Sequence, residues 1–403
     1  MQDQDRNFYE LRDGEAEPPS PNPIPTSDKP RAKRSVGRVL RRLLAALLAI
    51  LAVCAAALAG SFRVGDTSLL FPEAPERGTV FSYGDVVDTS SADYTYEEMR
   101  ADLYELEEAY PKLFRVSVGG SSADGREILY GDLGPVTAKR QIFVSAGIHG
   151  REYLTPLLAM KMTEYYLLNY YTEDENGVAF ADLTVDCMIR VVPMVNPDGI
   201  AVSQKGIGAI RSEELRATIT EAYENDFRLV SYQAYGTMEN YLRYWKANAR
   251  GVDLNRNFDI DYWEDMKAGP SYLSSQKYKG ELPASEPETA ALVELLSALR
   301  NPVAVISFHS QGELLYWDCG QTGSLREKNR ALAERIAEVN GYELQTTFEN
   351  PDATFDDWCA LEKGIPSVNI ETGTGSCPLP IEQFETIWEQ NYRLWRVLVT
   401  FGA

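Results

Sequence analysis

Both histidines of this 403-residue chain stand close behind apolar segments that are typical of buried strands. His149 comes three residues after the segment 141–146, and His309 directly follows the segment 302–308. Short apolar runs of this length, bounded by turn residues, favour strands that are buried on both faces. Because the chain has no other imidazole, any chemistry that needs one must use His149 or His309.

Two glutamates join this set. Glu152 lies three residues after His149, where a loop leads into a helix, and Glu371 directly follows a third apolar segment, 366–370. In open α/β sheets, ligands bind outside the carboxyl ends of the strands. A single His-x-x-Glu pair also arises by chance, and a histidine after a strand is more often a core or surface residue. The position of both histidines at strand ends nevertheless favours one shared site.

Two histidines and one glutamate form a ligand set that catalytic zinc uses, together with a water that the metal activates. His149 and Glu152 can face one ion, and His309 would supply a third ligand from a neighbouring strand. Glu371 could then accept the proton of the water. The sequence therefore predicts one zinc ion per chain.

The segments that carry these residues alternate between strand and helix. Such alternation predicts an α/β fold with a mixed, mostly parallel central sheet and helices on both faces. The predicted strands are residues 115–118, 127–131, 141–146, 188–195, 302–308 and 366–370. The predicted helices are residues 96–109, 152–171, most of 212–248, 286–300 with Ser285 as N-cap, 325–340 and 381–398. The Asn-Pro-Asp-Gly sequence at 196–199 predicts a turn.

The first 91 residues differ in composition from the rest of the chain. Residues 1–42 combine acids and prolines with a basic cluster at 31–42, which predicts a disordered cytoplasmic tail. The 18 uncharged residues at 43–60 would span about 27 Å as a helix, close to the thickness of a bilayer core. We therefore predict a transmembrane signal anchor at 43–62, a linker at 63–91 and a catalytic domain at 92–403.

The bases before the apolar run predict a single-pass membrane protein with its N-terminus in the cytoplasm and its catalytic domain outside the cell. The lipid bilayer is then a partner through residues 43–62. A cleaved signal peptide is the alternative, because Ala57-Leu58-Ala59 has the small-x-small pattern of a cleavage site. Cleavage after Ala59 would give a secreted protein, but the length of the apolar run favours the uncleaved anchor.

The charge of the chain restricts its partners. The formal net charge is −21, and the nine bases and seven acids of residues 1–42 leave 30 bases and 53 acids, a net −23, for residues 63–403. Binding to phosphates needs a basic surface, so nucleic acid is excluded as a main partner. Such an acidic domain would attract basic substrates. Four cysteines beyond residue 62 permit disulfides, whose pairing the sequence does not give.

Several motifs together resemble the zinc metallocarboxypeptidase family, which has the carboxypeptidase A-like fold. They are His149-Gly150-Arg151-Glu152, Gly251-Val252-Asp253-Leu254-Asn255-Arg256-Asn257-Phe258, Phe308-His309-Ser310 and Asn369-Ile370-Glu371. The similarity extends in order over about residues 92–400 of the sequence. Trp245-Lys246-Ala247-Asn248 and the segment 309–313 are most similar to the bacterial branch that includes γ-D-glutamyl-diaminoacid peptidases of cell-wall turnover.

The resemblance implies roles around the metal. His149, Glu152 and His309 would bind zinc. Asp253 would accept the other ring N–H of His149 and so fix its tautomer. Glu371 would act as general base toward the attacking water and then as general acid toward the leaving amine.

The resemblance also implies substrate-binding residues. Arg151 and Lys246 would polarise the scissile carbonyl or hold substrate, although the family more often has Arg at the second position. Asn255 and Arg256 would bind the substrate's terminal carboxylate, a task that suits the guanidinium fork. A surface ion pair is the alternative for Arg256, and an ordinary exposed base is the alternative for Lys246.

Two positions depart from the family pattern. Many members have a mobile tyrosine eight residues before the aspartate that corresponds to Asp357, and Glu349 stands there in this chain. The position before Asp357 lines the specificity pocket in the family, and here it is Asp356. A carboxylate in that pocket predicts a preference for basic terminal side chains, unless Asp356 faces solvent.

These observations predict a membrane-anchored, extracytoplasmic zinc carboxypeptidase. It would hydrolyse a peptide-like amide next to a free carboxylate, in peptides or in peptidoglycan stem peptides. Two alternatives are a catalytically weak binding or scaffold protein on the same fold and an amidohydrolase that acts on small acylated amino acids. The four zinc and base residues argue against the first, and the Asn255-Arg256 pair argues against the second. The sequence does not indicate the oligomeric state.

Overall fold

The computed structural model describes residues 77–266, 269–347 and 352–402. The strands in these ranges are β1 (Phe114–Ser121), β2 (Glu127–Leu133), β3 (Arg140–Ala146), β4 (Cys187–Val192), β5 (Pro302–His309), β6 (Leu314–Asp318), β7 (Glu343–Thr346) and β8 (Ser367–Glu371). They form one sheet in the order β1-β2-β4-β3-β5-β8-β6-β7. The central strands β4, β3, β5 and β8 run parallel, and antiparallel pairs occur toward both edges. The predicted mixed sheet with a parallel centre is confirmed.

Helices flank this sheet. In chain order they are α1 (Tyr96–Ala109), α2 (Leu154–Leu168), α3 (Phe180–Leu183), α4 (Pro197–Lys205), α5 (Glu213–Asp226), α6 (Val230–Gln233), α7 (Met238–Arg243), α8 (Pro287–Ser297), α9 (Gly323–Asn340), α10 (Phe355–Leu361), α11 (Phe384–Asn391) and α12 (Leu394–Leu398). Short 3-10 turns occur at Ile207–Ala209, Leu254–Arg256 and Ile381–Gln383.

The central strands need cover on both faces because all residues of β3 and β4 are buried. Ile142 and Val144 of β3 belong to an apolar cluster that includes α1, α2, α9, α11 and α12. Phe143, which points to the opposite face, belongs to a second cluster that includes α8 and α10. Helices therefore cover both faces, as the sequence predicts.

The segment between β4 and β5 has an apolar cluster of its own. Ile219 of α5, Tyr241 of α7 and Trp245 pack together with Val202 of α4, and all four side chains are buried. The region 212–248 is mainly helical, as predicted, because it contains α5, α6 and α7.

Three local predictions are wrong. Ser285 is not an N-cap: Glu286 occupies that position before α8, and the Ser285 hydroxyl donates to a Glu286 carboxylate oxygen at 2.9 Å. Residues 381–398 form a 3-10 turn and two short helices rather than one helix. The sequence at 196–199 begins helix α4, since the Asn196 side chain accepts from the Gly199 N–H and Pro197 takes the first helical position.

Residues 77–91, which the sequence assigns to a linker, contact the C-terminal half of α2. The Glu164 carboxylate accepts the backbone N–H groups of Val86 and Val87 at 2.7 and 3.3 Å. The Lys161 ammonium donates to the Glu164 carboxylate at 2.8 Å and to the carbonyls of Gly84 and Val87. This buried ion pair therefore fixes the chain where it enters the catalytic domain.

The predicted tail and anchor, residues 1–42 and 43–62, lie outside the described residues. Among the helices that the structure describes, none combines the length and apolar character needed to cross a membrane.

Candidate metal and catalytic site

Three parallel strands bring the predicted catalytic residues to one edge of the sheet. β3 leads into the loop that carries His149 and Glu152, β5 ends at His309 and β8 ends at Glu371. His309 and Glu371 are register partners on adjacent strands. The four side chains therefore meet because parallel strands end at the same edge, as the sequence predicts.

The proposed metal ligands converge at short distances. Glu152 Oε1 lies 2.9 Å from His149 Nδ1, and Glu152 Oε2 lies 3.1 Å from His309 Nδ1. The two Nδ1 atoms are 3.2 Å apart, and all three side chains are buried. A buried cluster of two imidazole nitrogens and a carboxylate, all turned toward one another, suits a zinc ion.

Asp253 lies behind this cluster. Its Oδ1 is 3.3 Å from His149 Nε2, the ring nitrogen that faces away from the other ligands. The carboxylate also accepts the backbone N–H groups of Asn255 and Lys277. Burial opposes ionisation of Asp253, but Lys246 and His149 hold its pKa well below the usual range. This is the location that the resemblance implies for Asp253.

Glu371 occupies the end of β8 beside the cluster. Burial raises the pKa of its carboxyl to about 7, with a further contribution from the charge of Glu152, while His309 and Lys246 act in the opposite direction. A carboxylate with a pKa near neutrality can take a proton from water and return it to a leaving group.

A cavity of about 240 Å³ opens beside these residues. His149, His309, Lys246 and Glu371 line it near the metal ligands. Its other walls are mostly polar or charged and include Asn255, Arg256, Asp318, Asn329, Asp352, Asp356, Asp357, Ser367 and Asn369. Arg151 is not among the residues that line this cavity, whereas the other predicted substrate residues are.

Asn255 and Arg256 reach the cavity from the 3-10 turn Leu254–Arg256. The Asn255 side-chain oxygen accepts the backbone N–H of Phe355 at 2.9 Å, so its amide NH₂ is directed elsewhere, 3.5 Å from His309 Nε2. Arg256 donates to the Asn255 carbonyl at 2.8 Å and to the Asp352 carboxylate at 2.7 Å. Arg256 therefore forms an ion pair, in which its own side chain is mostly buried and the Asp352 carboxylate is about one-third exposed.

Asp356 lies inside the cavity wall, with only 6% of its surface exposed. Neither of its carboxylate oxygens has a hydrogen-bond partner among the described residues. Burial raises the pKa of Asp356 to about 6, and burial together with the charge of Asp356 does the same for Asp357. Asp356 thus does not face solvent.

Two further residues of the cavity were not predicted as site residues. Asp357 Oδ2 and Asn369 Oδ1 are buried acceptors that have no hydrogen-bond partner within the described ranges. Asn369 precedes Glu371 by two residues on β8, so strand periodicity could have placed both side chains on one face. Glu349, which stands where many family members have a tyrosine, lies outside the described residues.

All four cysteines in the described part of the chain have free thiols and are buried. Cys319 lines the cavity, where its Sγ lies 3.2 Å from the Gln321 side-chain oxygen.

Comparison with known proteins agrees with this geometry. Residues 99–394 match the sequence model of the family described as zinc carboxypeptidase, and the chain therefore belongs to that family. Membership of this family makes the protein a zinc-dependent peptidase.

Two relatives illustrate the range of the family. The chain is 30% identical over 301 residues to gamma-D-glutamyl-L-diamino acid endopeptidase 1 of Lysinibacillus sphaericus, covering 74% of this chain and 70% of the relative. It is 26% identical to carboxypeptidase B of Astacus astacus, covering 76% and 96%. The crystal structure of carboxypeptidase A from Helicoverpa armigera shares the fold, with a TM-score of 0.57, 19% identity and coverage of 76% and 73%.

Proposed function

We propose that the protein is a membrane-anchored, extracytoplasmic zinc carboxypeptidase that cleaves an amide bond next to a free carboxylate. The observation that carries this proposal is the single cavity that joins the metal ligands and Glu371 to Asn255, Arg256 and Asp356. Peptides and cell-wall stem peptides both offer such a bond. The similarity to an endopeptidase of γ-D-glutamyl-diamino acid bonds supports the second class.

The terminal residue of the substrate would occupy the cavity. The Asn255 amide and the Arg256 guanidinium would hold its carboxylate, which places the preceding amide bond near Glu371. Asp352 already neutralises part of the Arg256 charge at 2.7 Å. A substrate carboxylate would therefore share the guanidinium with Asp352 or displace it.

His149, Glu152 and His309 would hold zinc, which supplies a Lewis acid for the scissile carbonyl and acidifies water. Glu371 would take the proton of the attacking water and then pass it to the leaving nitrogen. Asp253 would keep the His149 ring in its orientation. The Lys246 ammonium group, which has no ion pair or hydrogen bond with any described residue, would stabilise negative charge on the carbonyl oxygen.

Asp356 would select the terminal side chain. A buried carboxylate without a partner is unfavourable, and a cationic side chain removes that cost. Lysine, arginine or a diamino acid could supply the cation. The net charge of −23 on residues 63–403 would favour the approach of such substrates.

The anchor and the location of the enzyme are part of the same proposal. Residues 43–62 would span the membrane, with residues 1–42 in the cytoplasm and the catalytic domain outside. Protease added to intact cells should then degrade the catalytic domain and spare a tag at the N-terminus. A protected catalytic domain would contradict this topology, and a released domain that begins after Ala59 would indicate cleavage.

A panel of peptides tests the catalytic part of the proposal. The zinc-loaded protein should release the last residue from peptides and stem peptides that end in a free carboxylate, with products identified by mass spectrometry. Matched substrates with a C-terminal carboxamide are the control and should be cleaved much more slowly. Equal cleavage of both forms would argue against binding of the carboxylate by Asn255 and Arg256.

A further inference from the structure

A groove of about 490 Å³ lies far from the metal ligands. Its walls come from residues 81–83, from α2 and the turn after it, and from α12 and the residues just before it. The groove shares no lining residue with the catalytic cavity. Tyr165, which lines it, follows the metal ligand Glu152 by 13 residues, or roughly 20 Å along the helix. The groove is therefore separate from the catalytic site.

Four aromatic rings form a platform along one side of the groove. Phe81 stacks on Tyr165 with ring centroids 6.1 Å apart and planes 12° apart, and Tyr83 contacts the same ring at 5.9 Å. Tyr392 meets Tyr165 edge-on at 5.5 Å. Tyr83 leaves 55% of its surface exposed, more than any other aromatic residue in the described ranges. Single exposed apolar residues are common, whereas contiguous rings in a concave surface indicate a binding site.

The aromatic platform is held in place by the backbone beneath it. The side chain of Asn169, which directly follows α2, accepts the backbone N–H of Ser82 at 2.8 Å and donates to its carbonyl at 2.6 Å. Phe81 and Tyr83 flank Ser82, and both contact the ring of Tyr165. Because this segment is already fixed, binding of a ligand to the rings requires little further ordering of the protein.

The polar side of the groove carries balanced charges. It has two acids, Asp174 and Glu175, and two bases, Arg393 and Arg396. Asp174 pairs with Arg396 at 2.6 Å, and Arg393 donates to the Tyr392 hydroxyl at 2.8 Å. Residues 63–403 as a whole carry 23 more acids than bases, so this balance is a local property. It favours a neutral ligand that has both hydrogen-bond donors and acceptors.

Sugar rings have the two kinds of surface that this groove would contact. The C–H groups on one face of a pyranose are apolar and can pack on aromatic rings. The hydroxyl groups around its edge can donate to carboxylates and accept from guanidinium groups. Pockets that combine apolar walls with a few polar groups in this way are typical ligand sites.

We propose that this groove binds the glycan strand of peptidoglycan, a polymer of linked pyranose rings. The choice of this polymer rests on the proposed function, because the same strands carry the stem peptides. Binding to the strand would hold the enzyme close to many stem peptides and so raise their effective concentration at the catalytic cavity.

Direct binding tests the proposal without any need for turnover. The full chain with zinc is titrated by calorimetry with soluble glycan strands from which the stem peptides have been removed. Tyr83→Ala should weaken the Kd by tenfold or more, whereas Tyr83→Trp should retain binding. Tyr104→Ala is the matched control, because Tyr104 is exposed on α1 but does not line the groove. This control should bind the strands with the Kd of the parent protein.

Cleavage of two substrates tests the link to catalysis. For stem peptides that are still attached to glycan strands, Tyr83→Ala should lower kcat/KM by about tenfold. For the same stem peptide released from the strand, kcat/KM should remain that of the parent protein. An equal loss for both substrates would mean that the substitution disturbs the catalytic site, and would overturn the assignment.

Three results of the binding experiment would also overturn it. They are no binding of glycan strands by the parent protein, an unchanged Kd in Tyr83→Ala, and a loss of binding in Tyr104→Ala as large as that in Tyr83→Ala. Self-association of the parent protein that disappears in Tyr83→Ala would assign the groove to a second copy of the chain instead. Glycan binding that depends on Tyr83, together with no cleavage of any peptide, would refute the proposed function and support this inference.

Discussion

Glu371 and Asp356 are carboxylates of the same cavity, and burial raises the pKa of each, yet their surroundings suit different tasks. Glu371 lies beside the metal ligands, within the influence of His309 and Lys246. Asp356 lies in the cavity wall, where no described residue forms a hydrogen bond with either of its carboxylate oxygens. Glu371 is therefore placed to exchange protons with a water near the metal ligands, whereas Asp356 is placed to pair with a cationic side chain in the cavity.

Replacement of Glu371 by glutamine tests the proton transfer. Glu371→Gln should retain zinc and the fold but lower kcat by about 100-fold or more, because the amide cannot accept the proton of water. Glu382 is an exposed residue of the 3-10 turn Ile381–Gln383, and Glu382→Gln should leave kcat unchanged. Turnover of Glu371→Gln at the parent rate would show that another group serves as base.

Replacement of Asp356 tests the choice of terminal side chain. Asp356→Asn should reduce the preference for lysine over a neutral terminal residue by about tenfold, equivalent to about 1.4 kcal/mol. The measurement is the ratio of kcat/KM values for two peptides that differ only in this residue. An unchanged ratio would remove Asp356 from the specificity pocket.

The same ratio should depend on pH. Because the pKa of Asp356 is raised to about 6, its carboxylate is mostly neutral below pH 5 and mostly charged above pH 7. The preference for lysine should therefore increase as pH rises through 6, and this increase should vanish in Asp356→Asn. The titration of Glu371 should change kcat/KM for both substrates by the same factor, so it cancels in this ratio.

On the scale of the helices and strands, α8 carries a buried carboxyl group, that of Glu288, which forms hydrogen bonds with segments near the catalytic site. Glu288 accepts the backbone N–H of Ala123 at 2.9 Å and the Asn248 side-chain amide at 3.1 Å. Asn248 in turn accepts the backbone N–H of Val252, close to Asp253. Burial raises the pKa of Glu288 from 4.5 to about 7, with a smaller contribution from Asp198.

This pKa predicts how stability varies with pH. The folded state binds a proton at Glu288 more tightly than the unfolded state, so the contribution of this group is fully present below pH 4.5 and is lost as pH rises through 7. Glu288→Gln should remove this loss, which amounts to about 3 kcal/mol at most. The free energy of unfolding in urea at pH 5 and pH 8 measures it.

Glu294 is exposed on the same helix, so Glu294→Gln is the control. In this variant the free energy of unfolding should depend on pH as it does in the parent protein. A parent-like pH dependence in Glu288→Gln would mean that other groups cause the decrease in stability.

The central strands and the residues that follow them could be predicted from sequence, because their apolar segments are stable only when they are buried in the middle of the sheet. The position of His149, His309 and Glu371 followed from that pattern. Strands β6 and β7 were missed because they are short, with five and four residues, and because β7, at the edge of the sheet, has no buried residue. The partner of Arg256, Asp352, was also missed, because 96 residues separate the two in the sequence.

On the scale of the whole molecule, helix α2 connects two regions. The segment at the start of the described chain contacts its C-terminal part, and the catalytic site lies at its N-terminus. Residues 77–91 contact Glu164 and Asn169 near the end of the helix, whereas Glu152 lies just before its first residue. Glu164 follows Glu152 by 12 residues, or roughly 18 Å along the helix. Changes in the entry segment should therefore leave the cavity itself intact.

The central claim is that this chain is a zinc peptidase with a single metal site built from His149, Glu152 and His309. The most direct test is the zinc content of the purified full chain, measured by mass spectrometry of the metal, for the parent protein and for His309→Ala. We predict about one zinc per parent chain and almost none in the variant, with hydrolysis lost in parallel. Full zinc content in His309→Ala would contradict the account.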